Sequence, residues 1–275
     1  MKAAPFEYVA PTRLMDAIAA LASGGEEARP IAGGQSLGPM LNLRLATPSL
    51  LVDLTRILEL RRVEDRGEAT LIGAVVTHAA IEDGRHDFGD RGVLAAVARD
   101  IAYRAVRNRG TIGGSLANAD PAADWLTTLL ALGARLVIAR RGGARESDLR
   151  NFILGPFTTA LEQGEVIEGV LVPKISAAAR WGFYKICRKP GELADAMAAV
   201  LVDPERRVCR IVMGATAAAP AVLEELAVRL ASRGAGALDR DAIAQAVAEA
   251  QPQLDAVDVR IHAAAIARAV KKAAA

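Results

Sequence analysis

Two cysteines, Cys187 and Cys209, and three histidines, His78, His86 and His262, are all this chain of 275 residues offers as thiolate and imidazole metal ligands. Two thiols cannot build a four-thiolate cluster or a CxxC metal site, and no pair of histidines stands at ligand spacing, so no metal is expected on this chain. Both cysteines lie in apolar, strand-like runs. Buried, inert thiols are the expected state, with a disulfide left open. Aromatic residues make up only 4% of a sequence that is 52% hydrophobic, so the core must be aliphatic and alanine-rich. Charge is balanced, 34 Lys and Arg against 32 Asp and Glu for a net +2, which gives no reason to expect a nucleic-acid partner. No apolar run approaches the ~20 residues that cross a bilayer, so no transmembrane segment is expected. Residues 1–8 carry no hydrophobic stretch of the secretory kind, and a reducing cytoplasm is the expected location. A GxGxxG fingerprint is missing. Residues 33–38 have GxxxxG spacing, but Pro39-Met40 replaces the Lys-Ser/Thr pair that would reach phosphate and Mg²⁺.

What the chain does have is two glycine loops. Residues 31–38 read Ile31-Ala32-Gly33-Gly34-Gln35-Ser36-Leu37-Gly38, and residues 110–121 begin Gly110-Thr111-Ile112-Gly113-Gly114-Ser115. Adjacent glycines let a backbone approach a ligand closely, and successive N–H groups in such loops form a concavity that holds an anion. One such nest suits a phosphate; two suit a diphosphate gripped from both sides. The competing reading is that both pairs merely serve tight turns. No acid–base or nucleophile set stands out beside them, which leaves the chemistry to a bound cofactor.

The length fits about two domains, and strand and helix alternate along it. Thr12 is placed to cap a helix carrying Leu14, Ile18 and Leu21, stopped at Gly24-Gly25. A short strand then delivers the first glycine loop. Strands are expected at 50–54 and 69–74, and a helix at 93–102 leading to the second loop. Asp120-Pro121 reads as a helix start, with Asp as cap and Pro at the first position, and Gly133 as its end. A strand at 134–140 is followed by a turn-rich stretch at 141–148, then by a strand at 166–172. A boundary falls at 173–179. Beyond it come strands at 181–188, 196–202 and 208–213 and helices at 222–231, 242–250 and 261–272, the middle one capped by Asp239 or Asp241. The alanine-rich tail is expected to fray.

Taken together, residues 32–37 and 109–121 resemble the two FAD signatures of the flavoprotein (medium) subunits of molybdenum hydroxylases, the family of carbon monoxide dehydrogenase and of the FAD portion of xanthine dehydrogenase. Leu41-Asn42-Leu43-Arg44-Leu45, Ile72-Gly73-Ala74 with Thr77-His78, Phe152-Ile153-Leu154-Gly155-Pro156, Gly164-Glu165-Val166-Ile167 and Phe183-Tyr184-Lys185 match in order, so that the resemblance runs from residue 1 to about 215. Ser115 departs from the Asp or Asn common there. The resemblance implies an α+β fold: a two-subdomain FAD-binding domain of the vanillyl-alcohol-oxidase (PCMH) type over 1–176, with subdomains of about 1–56 and 57–176, and a smaller α+β C-terminal domain over 177–275. It implies that Pro30, Ile31, Ala32, Gly33, Gly34, Gln35, Ser36 and Leu37 wrap the FAD diphosphate, with Gly110, Thr111, Ile112, Gly113, Gly114 and Ser115 closing from the other side. Asn118 and Asp124 would lie near the ribityl or adenosine portion, Thr77 and Ile101 along the flavin, Ile167 at the adenine, and Lys185 beside the flavin or its surroundings. The implied role is electron transfer within a heterotrimer: a large subunit with molybdopterin, a small one with [2Fe–2S] clusters, an external electron acceptor, and assembly as a dimer of heterotrimers. Alternatives left open are a self-contained FAD-dependent reductase of the same fold, an assembly subunit lacking flavin, and a phosphosugar-binding module.

Overall fold

Three short parallel strands begin the fold. They are β1 (Glu7–Val9), β2 (Ala28–Ile31) and β3 (Leu50–Asp53), in the order β1-β3-β2. The computed structural model describes residues 2–274. Helix α1 (Leu14–Ser23) joins β1 to β2 and buries Ala17, Ile18 and Leu21, the helical spacing seen in the sequence. Thr12 does not cap it. Arg13 occupies the cap position without a side-chain bond, and Thr12 lies one residue too early for its hydroxyl to reach the first free N–H groups. β2 runs straight into the first glycine loop, after which α2 (Leu37–Asn42) turns the chain back.

The middle of the chain supplies β4 (Val63–Asp65), β5 (Ala69–Gly73), β6 (Arg135–Arg140), β7 (Gly143–Asp148), a small hairpin of β8 (Ile153–Gly155) and β9 (Thr158–Thr159), and β10 (Val166–Pro173). Five of these form an antiparallel sheet in the order β4-β5-β10-β6-β7. Between β5 and β6 come α3 (His78–Glu82), α4 (Val93–Arg99), α5 (Arg104–Arg107), α6 (Ile112–Asn118) and α7 (Asp124–Leu132); α8 (Leu149–Phe152) follows β7. Three expectations need correction. Residues 143–148 are a strand, because Gly142 and Gly143 at φ of +88° and +146° make the tight turn that pairs Arg140 with Gly143. The helix from Val93 stops at Arg99. Asp120-Pro121 does not start a helix. The Asp120 carboxylate accepts from the Ala122 N–H at 3.0 Å and closes a local turn, and α7 begins at Asp124 after Ala123.

The last hundred residues form a second antiparallel sheet, β11 (Arg180–Ile186), β12 (Ala196–Asp203), β13 (Val208–Gly214) and β14 (Ala221–Val222), in that order. Helices α9 (Glu224–Arg233), α10 (Arg240–Ala250) and α11 (Ala256–Ala274) complete it. Asp239 caps α10, its carboxylate accepting from Ala242 N at 2.8 Å. The tail does not fray, since α11 buries Ala263, Ile266, Ala269, Val270 and Ala273 against the sheet. β12 divides its side chains by the two-residue period of a strand. Met197, Ala199 and Leu201 join the core of the middle sheet and its helices, and Ala196, Ala198 and Val200 join the core under α11. The β11–β14 sheet is therefore clamped between α7 and α11. Contact is close on both sides: a Cβ on Gly214 would lie 1.8 Å from Thr127 Oγ1, and one on Gly182 1.9 Å from Ala269 O. The two cysteines, expected to be buried, are half-buried and free; burial pushes the Cys209 thiol up from its usual value.

Candidate functional site

The first glycine loop leaves the open end of β2. Gly34 sits at φ +69°, where an L side chain is strained, and Gly38 N–H bonds Gly34 O at 2.9 Å to turn the chain into α2. Gln35 Nε2 donates to Gly33 O at 3.0 Å and stiffens the bend. Among the described residues no acceptor takes the N–H groups of Ala32, Gly33, Gly34, Gln35 or Ser36. Five successive unspent donors in a loop that is only partly covered form a ready anion cradle. Pro30 and Leu37 frame the loop at either end, and Ile31 lies beneath Gly34, 3.5 Å from where its Cβ would be.

The second loop is built differently. Ile112 N–H bonds Val76 O (3.1 Å), Gly113 N–H bonds Ala74 O (2.9 Å), Gly114 N–H bonds Thr111 Oγ1 (3.1 Å) and Ser115 N–H bonds Thr111 O (3.0 Å). The expected second nest of free amides is therefore not there; among these residues the Thr111 N–H alone stays unspent, with the half-buried Ser115 hydroxyl four residues on in α6. The amino end of α6 is instead bolted to the chain leaving β5, and Thr77 pairs with Thr111 as an isolated antiparallel bridge. Its glycines serve close packing: a Cβ on Gly113 would lie 2.5 Å from Ala74 Cβ, and one on Gly110 2.8 Å from the His78 ring. The two loops meet at Gly33, where a Cβ would lie 2.0 Å from Arg109 O. Gly114 is exposed; a Cβ on it would lie 2.8 Å from its own capping Thr111 Oγ1 and 4.0 Å from Ala32 Cβ of the first loop.

The remaining expected residues fall into two groups. Asp124 and Lys185, 61 positions apart, form a buried ion pair at 3.0 and 3.1 Å, and Lys185 Nζ also donates to Asp100 O at 3.2 Å. Burial pushes the Asp124 carboxyl up and the Lys185 ammonium opposes it. Ile101 follows Asp100, whose carbonyl Lys185 holds, and packs partly buried on the central core. Asn118 is half-buried on the last turn of α6. Ile112 and Ile167, by contrast, are core residues, fully buried or nearly so.

Sequence reasoning overlooked His78. Its buried ring accepts the Trp125 indole N–H at Nδ1 (3.0 Å), its backbone N–H donates to Gly110 O (2.9 Å), and burial pushes its pKa down to about 4. It is a neutral wedge between α7 and the second loop. Also overlooked was a cleft of about 420 Å³ bounded by Gly33, Thr77 and Thr111 and by Arg61, Arg85 and Arg109. The run Arg107-Asn108-Arg109, directly before the second loop, was the signal that pointed there. Among the described residues no three His, Cys, Asp or Glu side chains converge on a metal-sized site, and no helix is long and apolar enough to cross a membrane.

Residues 4–175 match the family described as the FAD binding domain in molybdopterin dehydrogenase. The chain belongs to this family. Curated relatives include the 6-hydroxypseudooxynicotine dehydrogenase complex subunit alpha of Paenarthrobacter nicotinovorans, 38% identical over 202 residues that cover 74% of this chain and 68% of the relative. The carbon monoxide dehydrogenase medium chain of Hydrogenophaga pseudoflava is 36% identical over 219 residues, covering 79% and 76%. Among solved structures, carbon monoxide dehydrogenase from Hydrogenophaga pseudoflava superposes with a TM-score of 0.90 at 32% identity over 99% of this chain and 98% of that one. The α+β architecture of that structure is thus shared along nearly the whole length, and the FAD binding domain over residues 4–175. The residues present fit FAD. A dinucleotide's diphosphate needs neutral donors arrayed along a bend, and residues 32–36 hold five of them on the glycine that only a left-handed bend requires.

Proposed function

We propose that this chain is the FAD-binding electron-transfer subunit of a molybdenum hydroxylase-type oxidoreductase. The observation that carries the proposal is the run of unspent N–H groups at Ala32–Ser36, in a chain of this family. Bound FAD would supply redox chemistry, exchanging electrons between [2Fe–2S] clusters of a partner and an external acceptor. The chain's own residues do the holding. The amides of residues 32–36 and the Ser36 hydroxyl take the diphosphate, with Pro30, Ile31, Gln35 and Leu37 shaping that loop. The Thr111 N–H and Ser115 hydroxyl close from α6, whose position Gly110, Ile112, Gly113 and Gly114 set. Thr77 and Ile101 line the flavin and exclude water, and Asn118 and Ile167 bound the nucleotide's remaining length. Asp124 and Lys185 act as a unit, the carboxylate keeping the ammonium in place in a site that water barely reaches.

Two relatives are named medium chain and complex subunit alpha, which supports placement beside a large molybdopterin subunit and a small iron–sulfur subunit; assembly as a dimer of heterotrimers is part of the same proposal. Two unpaired thiols go with a reducing cytoplasm. The division into 1–176, itself made of about 1–56 and 57–176, and 177–275 follows the three sheets. Purifying the chain with its native partners and measuring flavin, molybdenum and iron tests the reading. Stoichiometric FAD is expected, and a folded complex with no flavin absorbance would refute it.

A further inference from the structure

Arg107 is a buried arginine to which the reading above gives no task. It ends α5, three residues before the second loop. Its guanidinium meets Glu82 twice, Nε to Oε2 at 2.8 Å and Nη2 to Oε1 at 3.0 Å. The third arm, Nη1, donates to Ile101 O and to Ala102 O, each at 2.9 Å. Ala102 sits at φ +42°, a conformation that L side chains rarely adopt, so something must hold it there. Gly191 rests on the same turn, where a Cβ would lie 2.9 Å from Ala102 O, and Lys185 holds the preceding carbonyl, Asp100 O. Among the described residues no other side chain bonds the carbonyls of Ile101 and Ala102. Arg104 extends the arrangement outward to Glu82 and Asp83, and the Glu82 carboxyl is held below its usual range, chiefly by Arg107.

We infer that Arg107 is a positioning residue, fixing the left-handed turn at Ala102 so that Ile101 stands as the apolar wall of the flavin site. The inference rests on the proposed FAD role and on Ile101 facing the flavin. Lysine cannot take the place of Arg107, since a single ammonium cannot bind a carboxylate in a fork and two carbonyls at once.

The test uses the purified complex in four forms: wild type, Arg107→Lys, Glu82→Gln and Ile101→Ala. FAD retention, the visible absorption envelope and the midpoint potential by anaerobic reductive titration are read in each. Arg107→Lys and Ile101→Ala are expected to change the envelope and to move the potential in the same direction, with FAD held about tenfold more weakly. Glu82→Gln, which keeps one acceptor for the fork, is expected to fall between them and wild type, and it carries the test if Arg107→Lys yields no folded complex. A flavin-loaded Arg107→Lys or Glu82→Gln with wild-type envelope and potential, beside a shifted Ile101→Ala, overturns the positioning role and leaves the FAD assignment standing. An unshifted Ile101→Ala overturns it by removing Ile101 from the flavin. A flavin-free wild-type complex overturns the functional reading along with it.

Discussion

Acidification to pH 5 should destabilise this fold through one ring. His78 has a folded pKa of about 4 against an ordinary 6.5, because burial disfavours its charged form and Arg107 adds a like charge nearby. Between those values the unfolded chain binds a proton that the folded chain refuses, so stability rises with pH there and is lost as pH falls from 6.5 towards 4. The loss between pH 7 and pH 5 comes to about 2 kcal/mol, out of about 3 kcal/mol available over the full interval. In urea, with a slope near ~3 kcal/mol per molar, that is a fall in midpoint of roughly 0.6 M. His78→Asn isolates the effect. Its amide oxygen can stand in for Nδ1 as acceptor of the Trp125 indole N–H, and it cannot titrate. The variant should start less stable at pH 7, because the ring that fills the space against Gly110 is gone, but it should lack this part of the slope. His262 is pushed down by burial as well, and the carboxylates titrate in both proteins, so these terms cancel in the difference. Parallel midpoint-against-pH curves for wild type and His78→Asn between pH 5 and 7 would refute the reasoning.

Three further perturbations probe the site itself. Gly33→Ala forces a methyl to within 2.0 Å of a backbone oxygen that cannot rotate away, so it should cost at least ~1–3 kcal/mol in thermal denaturation and release flavin, read as the ratio of visible to protein absorbance. At Gly34 a Cβ would touch Ile31 only at an ordinary 3.5 Å and it is the backbone that is strained, so Gly34→Asn, which tolerates positive φ, should retain more flavin than Gly34→Val; equal loss would mean that bulk rather than conformation decides there. Lys185→Met should cost roughly 3–5 kcal/mol by stranding the buried Asp124 carboxylate, and adding Asp124→Asn should recover part of it, a coupling that a double-mutant cycle in urea measures.

Much of this was legible along the chain because it is local. Gly34 announces a left-handed bend, the alternation in 181–188 announces β11, and the helical spacing of Leu14, Ile18 and Leu21 announces α1. The failures share a cause. Asp120 and Asp124 are both acids near the start of α7, and local rules favour Asp120-Pro121 as the start; an N–H just past the distant β13 decides otherwise, Ala215 N–H donating to Pro121 O at 3.0 Å. Residues 141–148 read as turn because they are polar and glycine-containing, yet β6 was waiting as a partner. The tail reads as frayed until the floor of β11 and β12 is there to receive its alanines. Lys185 on an alternating strand could face solvent or the interior, and nothing near it in sequence reveals that Asp124 waits on α7. The mates of Arg107 lie closer in sequence, but only the turn at Ala102 brings them together.

The two glycine pairs read as equivalents in the sequence, and the difference between them follows from where their N–H groups go. A loop can offer donors to a ligand only if nothing in the protein has taken them. Leaving the edge of a three-stranded sheet, residues 32–36 bond their N–H groups to no acceptor among the described residues and keep all five. Residues 112–115 run against the chain leaving β5 and surrender theirs to Val76, Ala74 and Thr111. Glycine in the second loop is therefore required for distance rather than for donation. Without side chains, Gly113 and Gly110 let α6 press onto Ala74 and His78, and that brings Arg109 O against Gly33. The second loop sets the place and slope of the first. It follows that a methyl at Gly113 should weaken diphosphate binding although its own N–H never reaches the ligand. Such a loss should come with a lower melting temperature, whereas strain confined to Gly34 should lower affinity with less loss of stability.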